Sequence, residues 1–296
     1  MVKRANNRLY ITGAVIVAVL VGAVILLSNG KEKAGTSNQE AVSSFRHAHG
    51  LAADVTDPTK LYIATHEGLF LLQNDKDLYR VGSKSDDYMG FSAHPTNANV
   101  FFTSGHPGGG GNLGFQKSED GAKSWTRLSL GASGPVDFHA MAVGQVDPSL
   151  AYGSFAGALQ RSTDGGVTWQ VLKSNVSNVL SLTTDSKEKD SVYAATTAGL
   201  FVSKDQAQTF SQLGTLGAVR ALAVNPTNNL ELLSFSQSQG LAKSSDGGKT
   251  WNKQPFSGEA MFIAYSKPAP STVYVLTEDN GISKSMDAGA SWTKIR

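Results

Sequence analysis

The sequence predicts an all-β chain: one six-bladed β-propeller, preceded by a single transmembrane helix. Three observations carry this. An octamer of the form Ser-x-Asp-x-Gly-x-x-Trp occupies Ser162–Trp169, Ser244–Trp251 and Ser285–Trp292, with weaker copies at Ser118–Trp125 and Ser203–Phe210. A glycine sits four or five residues before each copy, at Gly114, Gly157, Gly199, Gly240 and Gly281, and Gly68 opens a sixth unit. Residues 9–28 carry no charged side chain.

Leu9 to Ser28 has about the 20 residues a helix needs to cross a bilayer. Lys3, Arg4 and Arg8 precede it, which keeps residues 1–8 in the cytoplasm and exports the chain beyond the helix. The alternative is a cleaved signal peptide, for which Ser28-Asn29-Gly30 offers small residues, and a secreted product. Residues 29–43 are polar and read as a flexible linker.

The marker glycines are spaced by 46, 43, 42, 41 and 41 residues, the period of a four-stranded propeller blade. Six such units fill residues 44–296. Each unit offers a short apolar strand, a turn often holding Pro, a second strand, the glycine, a third strand, the octamer and a fourth strand. In the first unit the octamer has decayed to Gln73-Asn74-Asp75-Lys76. Nothing before Phe45 reads as a spare strand, so the ring is expected to close by packing of the first and last blades. The octamer itself reads as a hairpin turn. Its Asp accepts bonds from turn N–H groups, its Gly supplies a positive φ and its Trp covers the outgoing strand. Asp120, Asp164, Asp205, Asp246 and Asp287 are therefore expected to be scaffold.

Composition narrows the function classes. Net charge is +2, which gives no strong pull toward nucleic acid. The chain has no cysteine, so disulfides, thiolate zinc sites, Cys nucleophiles and lipid-modified cysteines are excluded. The expected state is a monomer.

In a propeller the first strand is innermost. Its start and the end of the second strand open on one face. His47, His49 and His139 start first strands, whereas His66 and His106 end second strands. All five lie in units one to three, and only His94 falls in a turn on the other face. Asp87, Tyr88 and Met89 begin the first strand of unit two, and Asp137 precedes His139. The expected ligand-binding set is thus His47, His49, His66, Asp87, Tyr88, Met89, His106 and His139. The expected metal ligands are His49, His66, His106 and His139, with Asp87, Tyr88 and Asp137 orienting them. Imidazoles with a carboxylate suit a divalent transition metal such as zinc, copper or iron. A neutral glycan pocket is the competing reading, with the glycine-rich loop from Pro107 to Asn112 as a lid over the mouth.

The octamer resembles the Asp-box (BNR) repeat of sialidases, sortilin-type receptors and photosystem II assembly factors. His47-Ala48-His49-Gly50, Thr65-His66-Glu67-Gly68-Leu69, Asp87-Tyr88-Met89-Gly90-Phe91, Ser104-Gly105-His106-Pro107-Gly108 and Asp137-Phe138-His139-Ala140 resemble a subgroup of exported bacterial Asp-box proteins grouped as glycosyl hydrolase-like. The resemblance implies a propeller whose boxes lie away from the active site. It also implies three sialidase arginines gripping a carboxylate. Only Arg46 and Arg220 fall near the starts of innermost strands, which argues against a sialidase. A different glycosidase needs two facing carboxyls. Glu67, Asp87 and Asp137 are the candidates on the histidine side, with Tyr88 beside them, and Glu259 and Glu278 lie farther round. The expected function is a membrane-tethered extracytoplasmic binding propeller for a glycan, metal ion or protein ligand. The alternatives are a glycoside hydrolase and a protein-assembly scaffold.

Overall fold

The computed structural model describes residues 40–296, and the expected cytoplasmic segment, helix and most of the linker lie outside them. The described residues form six antiparallel sheets and no helix. Blade one comprises Ala48–Ala53, Lys60–Thr65, Gly68–Gln73 and Asp77–Val81. Blade two comprises Asp87–Ala93, Phe101–His106, Phe115–Ser118 and Thr126–Ser129. Blade three comprises Ala140–Val143, Ala151–Phe155, Ala158–Ser162 and Gln170–Val171. The first strands of blades four, five and six are Val179–Thr184, Val219–Val224 and Ala260–Tyr265, and the chain finishes on Thr293–Lys294, the fourth strand of blade six.

Alternation along the strands builds the core. Leu61 and Ile63 of blade one face blade six, and Tyr62 and Ala64 face blade two. The same period of two gives each blade a face toward either neighbour. The result is six apolar clusters, one per blade interface. The cluster that joins blades six and one contains Phe45, Phe70, Tyr274 and Ile282. Tyr274 also donates to the Pro58 carbonyl at 2.9 Å, and Lys284 pairs with Asp75 at 2.7 Å. The ring closes by packing, with no strand exchanged between blades, as expected.

One expectation needs correction. Glu40–Ala41 is a short fifth strand, paired with Arg80 and Tyr79 on the outer edge of blade one. The chain thus enters the sheet before Ser44. The outer strand Asp77–Val81 has a free edge there, and these two residues cover it.

The octamers sit between third and fourth strands. In one of them, Asp246 Oδ1 accepts from the Lys249 and Thr250 N–H groups at 3.0 and 2.9 Å, and Oδ2 accepts from Thr250 Oγ1 at 2.6 Å. Ser244 Oγ, fully buried, takes the Gly248 N–H at 2.7 Å. The hydroxyl before the closing aromatic residue recurs as Ser124, Thr168, Thr209, Thr250 and Ser291, a further position of the repeat. Ala122 and Ala207 hold φ of 65° and 68° where the other copies have Gly. The tryptophans are half-buried rather than enclosed: each ring lies on an interface edge, as Trp169 does against Phe115 and Phe138. In blade one, Asn74 and Asp75 with φ of 54° and 60° make a plain tight turn instead.

Candidate metal site at the channel mouth

The six first strands line an axial channel of about 220 Å³. At its far end Lys267 of blade six reaches across to the Pro95 carbonyl of blade two at 2.8 Å. The histidines stand at the other end.

The register shows why they gather. Five first strands carry a bulge at their start, and the bulged residues are His49, Met89, Leu180, Arg220 and Met261. His139 holds the same register in blade three, one residue before Ala140, which pairs with Ser154 as Gly50 pairs with Ala64. Two residues earlier, His47, Asp87 and Asp137 share a second equivalent position. His66 and His106 share a third, at the end of the second strand. Bulges re-aim side chains, and here one residue per blade is turned at the mouth. Glycine draws the strands of this side together. A Cβ on Gly50 would lie 2.7 Å from Phe91 Cβ, and one on Gly90 would lie 2.4 Å from the Phe138 carbonyl oxygen.

Asp87 is the hub. It is 5% exposed. Its Oδ2 accepts from His66 Nδ1 and lies 3.3 Å from His106 Nε2. Its Oδ1 lies 3.8 Å from His49 Nε2 and has no hydrogen-bond partner, although it is buried. His49 Nε2 and His66 Nε2 face each other at 3.0 Å. His49, His66 and Asp87 can each offer one ligand atom, all within 4.8 Å of one another. Zn–N bonds of about 2.0–2.1 Å at the tetrahedral angle place two ligand nitrogens about 3.3 Å apart, close to what the two rings already show.

The electrostatics favour a neutral His49. Burial pushes His49 down to about 4, and the surrounding imidazoles oppose the pull of Asp87. His49 is therefore a neutral imidazole near pH 7, the form that binds metal. His47 stacks on His66 with centroids 5.0 Å apart and holds a φ of 41°, unusual for a non-glycine residue. Its carbonyl accepts the His66 N–H. That conformation seats the His66 ring, and such strain collects at functional sites.

The other expected residues divide. His139 hydrogen-bonds Asp137 at 3.1 Å, and this bond raises its pKa. It forms a separate pair beside the cluster and does not join the three close side chains. Asp87, expected to orient the ligands, sits among them. Tyr88 is not at the mouth: it is 1% exposed, in the cluster between blades one and two, with its ring against Trp125. Strand alternation turns it away from its neighbour Asp87. Met89 is 9% exposed at the bulge. Glu67 lies in the turn beyond Thr65, paired with Arg46 at 3.7 Å. Glu259 and Glu278 both hold Arg220, at 3.5 and 3.7 Å. His94 is a turn residue, its Nδ1 accepting the Thr96 N–H where Asp54 accepts that of Thr56 in blade one. The loop after His106 is pinned by Asn112, which donates to the Pro135 carbonyl at 2.9 Å.

No protein-family model matches the chain, and no curated protein does. Solved structures share its fold. An ancestral GH74 enzyme aligns with a TM-score of 0.59 at 13% identity, over 84% of this chain and 38% of the enzyme. The GH74 enzyme of Niastella koreensis aligns with a TM-score of 0.58 at 15% identity, over 86% of this chain and 55% of the enzyme. The chain thus spans about two-fifths to just over half the length of these enzymes. YCF48 bound to D1 peptide aligns with a TM-score of 0.54 at 16% identity, over 88% of this chain and 86% of that one. At these identities the likeness is one of fold.

Proposed function

We propose that the protein is a membrane-tethered, extracytoplasmic binding propeller that holds a divalent transition-metal ion at one mouth of its channel. His49, His66 and Asp87 are the ligands. The observation that carries this is the Asp87 carboxylate, buried among imidazoles with one oxygen unpartnered. A buried unpaired acceptor is costly unless something satisfies it. A cation between Oδ1 and the two facing Nε2 atoms does so. The bond from His66 Nδ1 to Asp87 fixes that ring so that its Nε2 is free for the ion. Two imidazoles and a carboxylate leave coordination positions open toward the mouth, where a small ligand or a partner's side chain can complete the sphere.

Glycoside hydrolysis is the weaker reading. It needs an acid and a base facing across an open cleft. Asp87 and Asp137 are bonded to imidazoles, Glu67 is paired with Arg46, and Glu259 and Glu278 share Arg220. The GH74 likeness supports the fold and does not supply the pair.

The test is metal content. The full-length protein in mild detergent is loaded with zinc, dialysed and analysed, beside Asp87→Asn and a His49→Ala/His66→Ala double variant. Stoichiometric metal in the wild type and its loss from both variants is expected. Sub-stoichiometric metal in the wild type, or equal metal in all three, overturns the proposal. The tether rests on residues 9–28 and is tested separately: protease added to intact cells degrades the propeller, and protection until lysis would contradict it.

A further inference from the structure

We infer that the site is built to take copper, with the Met89 thioether as an additional soft ligand. The inference rests on the metal reading above and names the ion. Three observations converge on Met89. First, it holds the bulge register that His49 and His139 hold in the flanking blades. Second, it is 9% exposed, yet it belongs to none of the six apolar clusters. Among the described residues every other buried apolar side chain larger than alanine is in one of them. Met261, at the same register in blade six, packs against the cluster that joins blades six and one, and Met141 lies in the cluster between blades two and three. Packing accounts for those two methionines and leaves Met89 over. Third, the segment from Asp87 to Met89 is wedged. A Cβ on Gly105 would stand 1.9 Å from the Asp87 carbonyl oxygen and 3.0 Å from the Met89 nitrogen, so the second strand lies tight against this segment and fixes its backbone.

A thioether is a poor ligand for zinc and a good one for Cu(I), and imidazole serves both oxidation states of copper. A set of His49, His66 and Asp87 alone would take zinc as well as copper. Adding Met89 tilts the preference toward copper, most of all toward Cu(I).

The test compares wild type with Met89→Leu, which keeps the volume and apolar character of the side chain. Cu(I) affinity is measured on the full-length protein by competition with bathocuproine disulfonate. Zinc affinity is measured with a chromophoric zinc indicator. The substitution is expected to weaken Cu(I) binding by about tenfold or more while leaving zinc within about twofold. X-ray absorption of the Cu(I)-loaded wild type is expected to show a bound sulfur that the variant lacks. Unchanged Cu(I) affinity in Met89→Leu, absence of sulfur in the wild type, or an equal loss of both metals would overturn the inference and leave the metal site standing. A wild type that binds neither metal would overturn both.

Discussion

Gly90→Ala inserts a methyl group between blades two and three, three residues along the strand from Asp87. The new Cβ would lie 2.4 Å from the Phe138 carbonyl oxygen and 3.0 Å from Met141 Cβ. Comfortable contacts begin near 3.5 Å, so one strand must move by about 1 Å. The backbone of Gly90 is not left-handed, so the whole cost is steric. The struck atom is a main-chain oxygen and has no rotamer to escape through. Overpacking of this kind costs about 1–3 kcal/mol, and a rigid obstacle places it at about 2–3 kcal/mol. In a domain of this size that lowers Tm by about 4–12 °C. Guanidinium melts give the value. Gly108→Ala is the matched control, because nothing lies within 4 Å of its Cβ. It should stay within about 0.5 kcal/mol of wild type. Metal affinity should fall in Gly90→Ala and hold in Gly108→Ala. If the two variants melt together, close approach of these inner strands is not what seats Asp87.

Ser244→Ala removes the acceptor of the buried Gly248 N–H and should cost about 1–3 kcal/mol in the same melts; a variant within error of wild type would contradict the scaffold role of the octamer. The five octamer aspartates are each held down to about 2, first by the hydroxyl of the following Ser or Thr. Their folded values lie below the unfolded value near 3.9, so this stabilisation is complete above about pH 4 and fades as pH falls toward 2. Asp246→Asn should therefore be less stable than wild type at pH 7, with the gap narrowing between pH 4 and pH 2. A gap independent of pH would show that the charge of Asp246 carries no stability.

The fold was legible because its signals are local and repeated. The Ser-x-Asp-x-Gly-x-x-Trp turns and marker glycines fix the hairpins, and alternation of apolar residues fixes the blade faces. Those same positions placed His47, His49, His66, His106 and His139 at one mouth. What could not be read was the direction of individual side chains. The bulges that turn His49 and Met89 interrupt alternation and leave no mark in composition. Tyr88 follows the alternation into the core, and reading Asp87-Tyr88-Met89 as one functional triplet missed that. The role of Asp87 as hub depends on three-dimensional proximity of blades one and two, which the closeness allowed by Gly50 creates. The aligned triplets His47/His49/His66 and Asp87/Met89/His106 were a usable signal, since they superpose once the unit period is applied. The strand at Glu40–Ala41 is too short and too polar to announce itself.

The most direct measurement is an anomalous difference map from a zinc-soaked crystal, collected on either side of the zinc absorption edge. A single strong peak is predicted at the channel mouth, about 2.0–2.2 Å from His49 Nε2, His66 Nε2 and an oxygen of Asp87. No peak at that mouth, or peaks only at exposed carboxylates such as Glu259 and Glu278, would contradict the metal site.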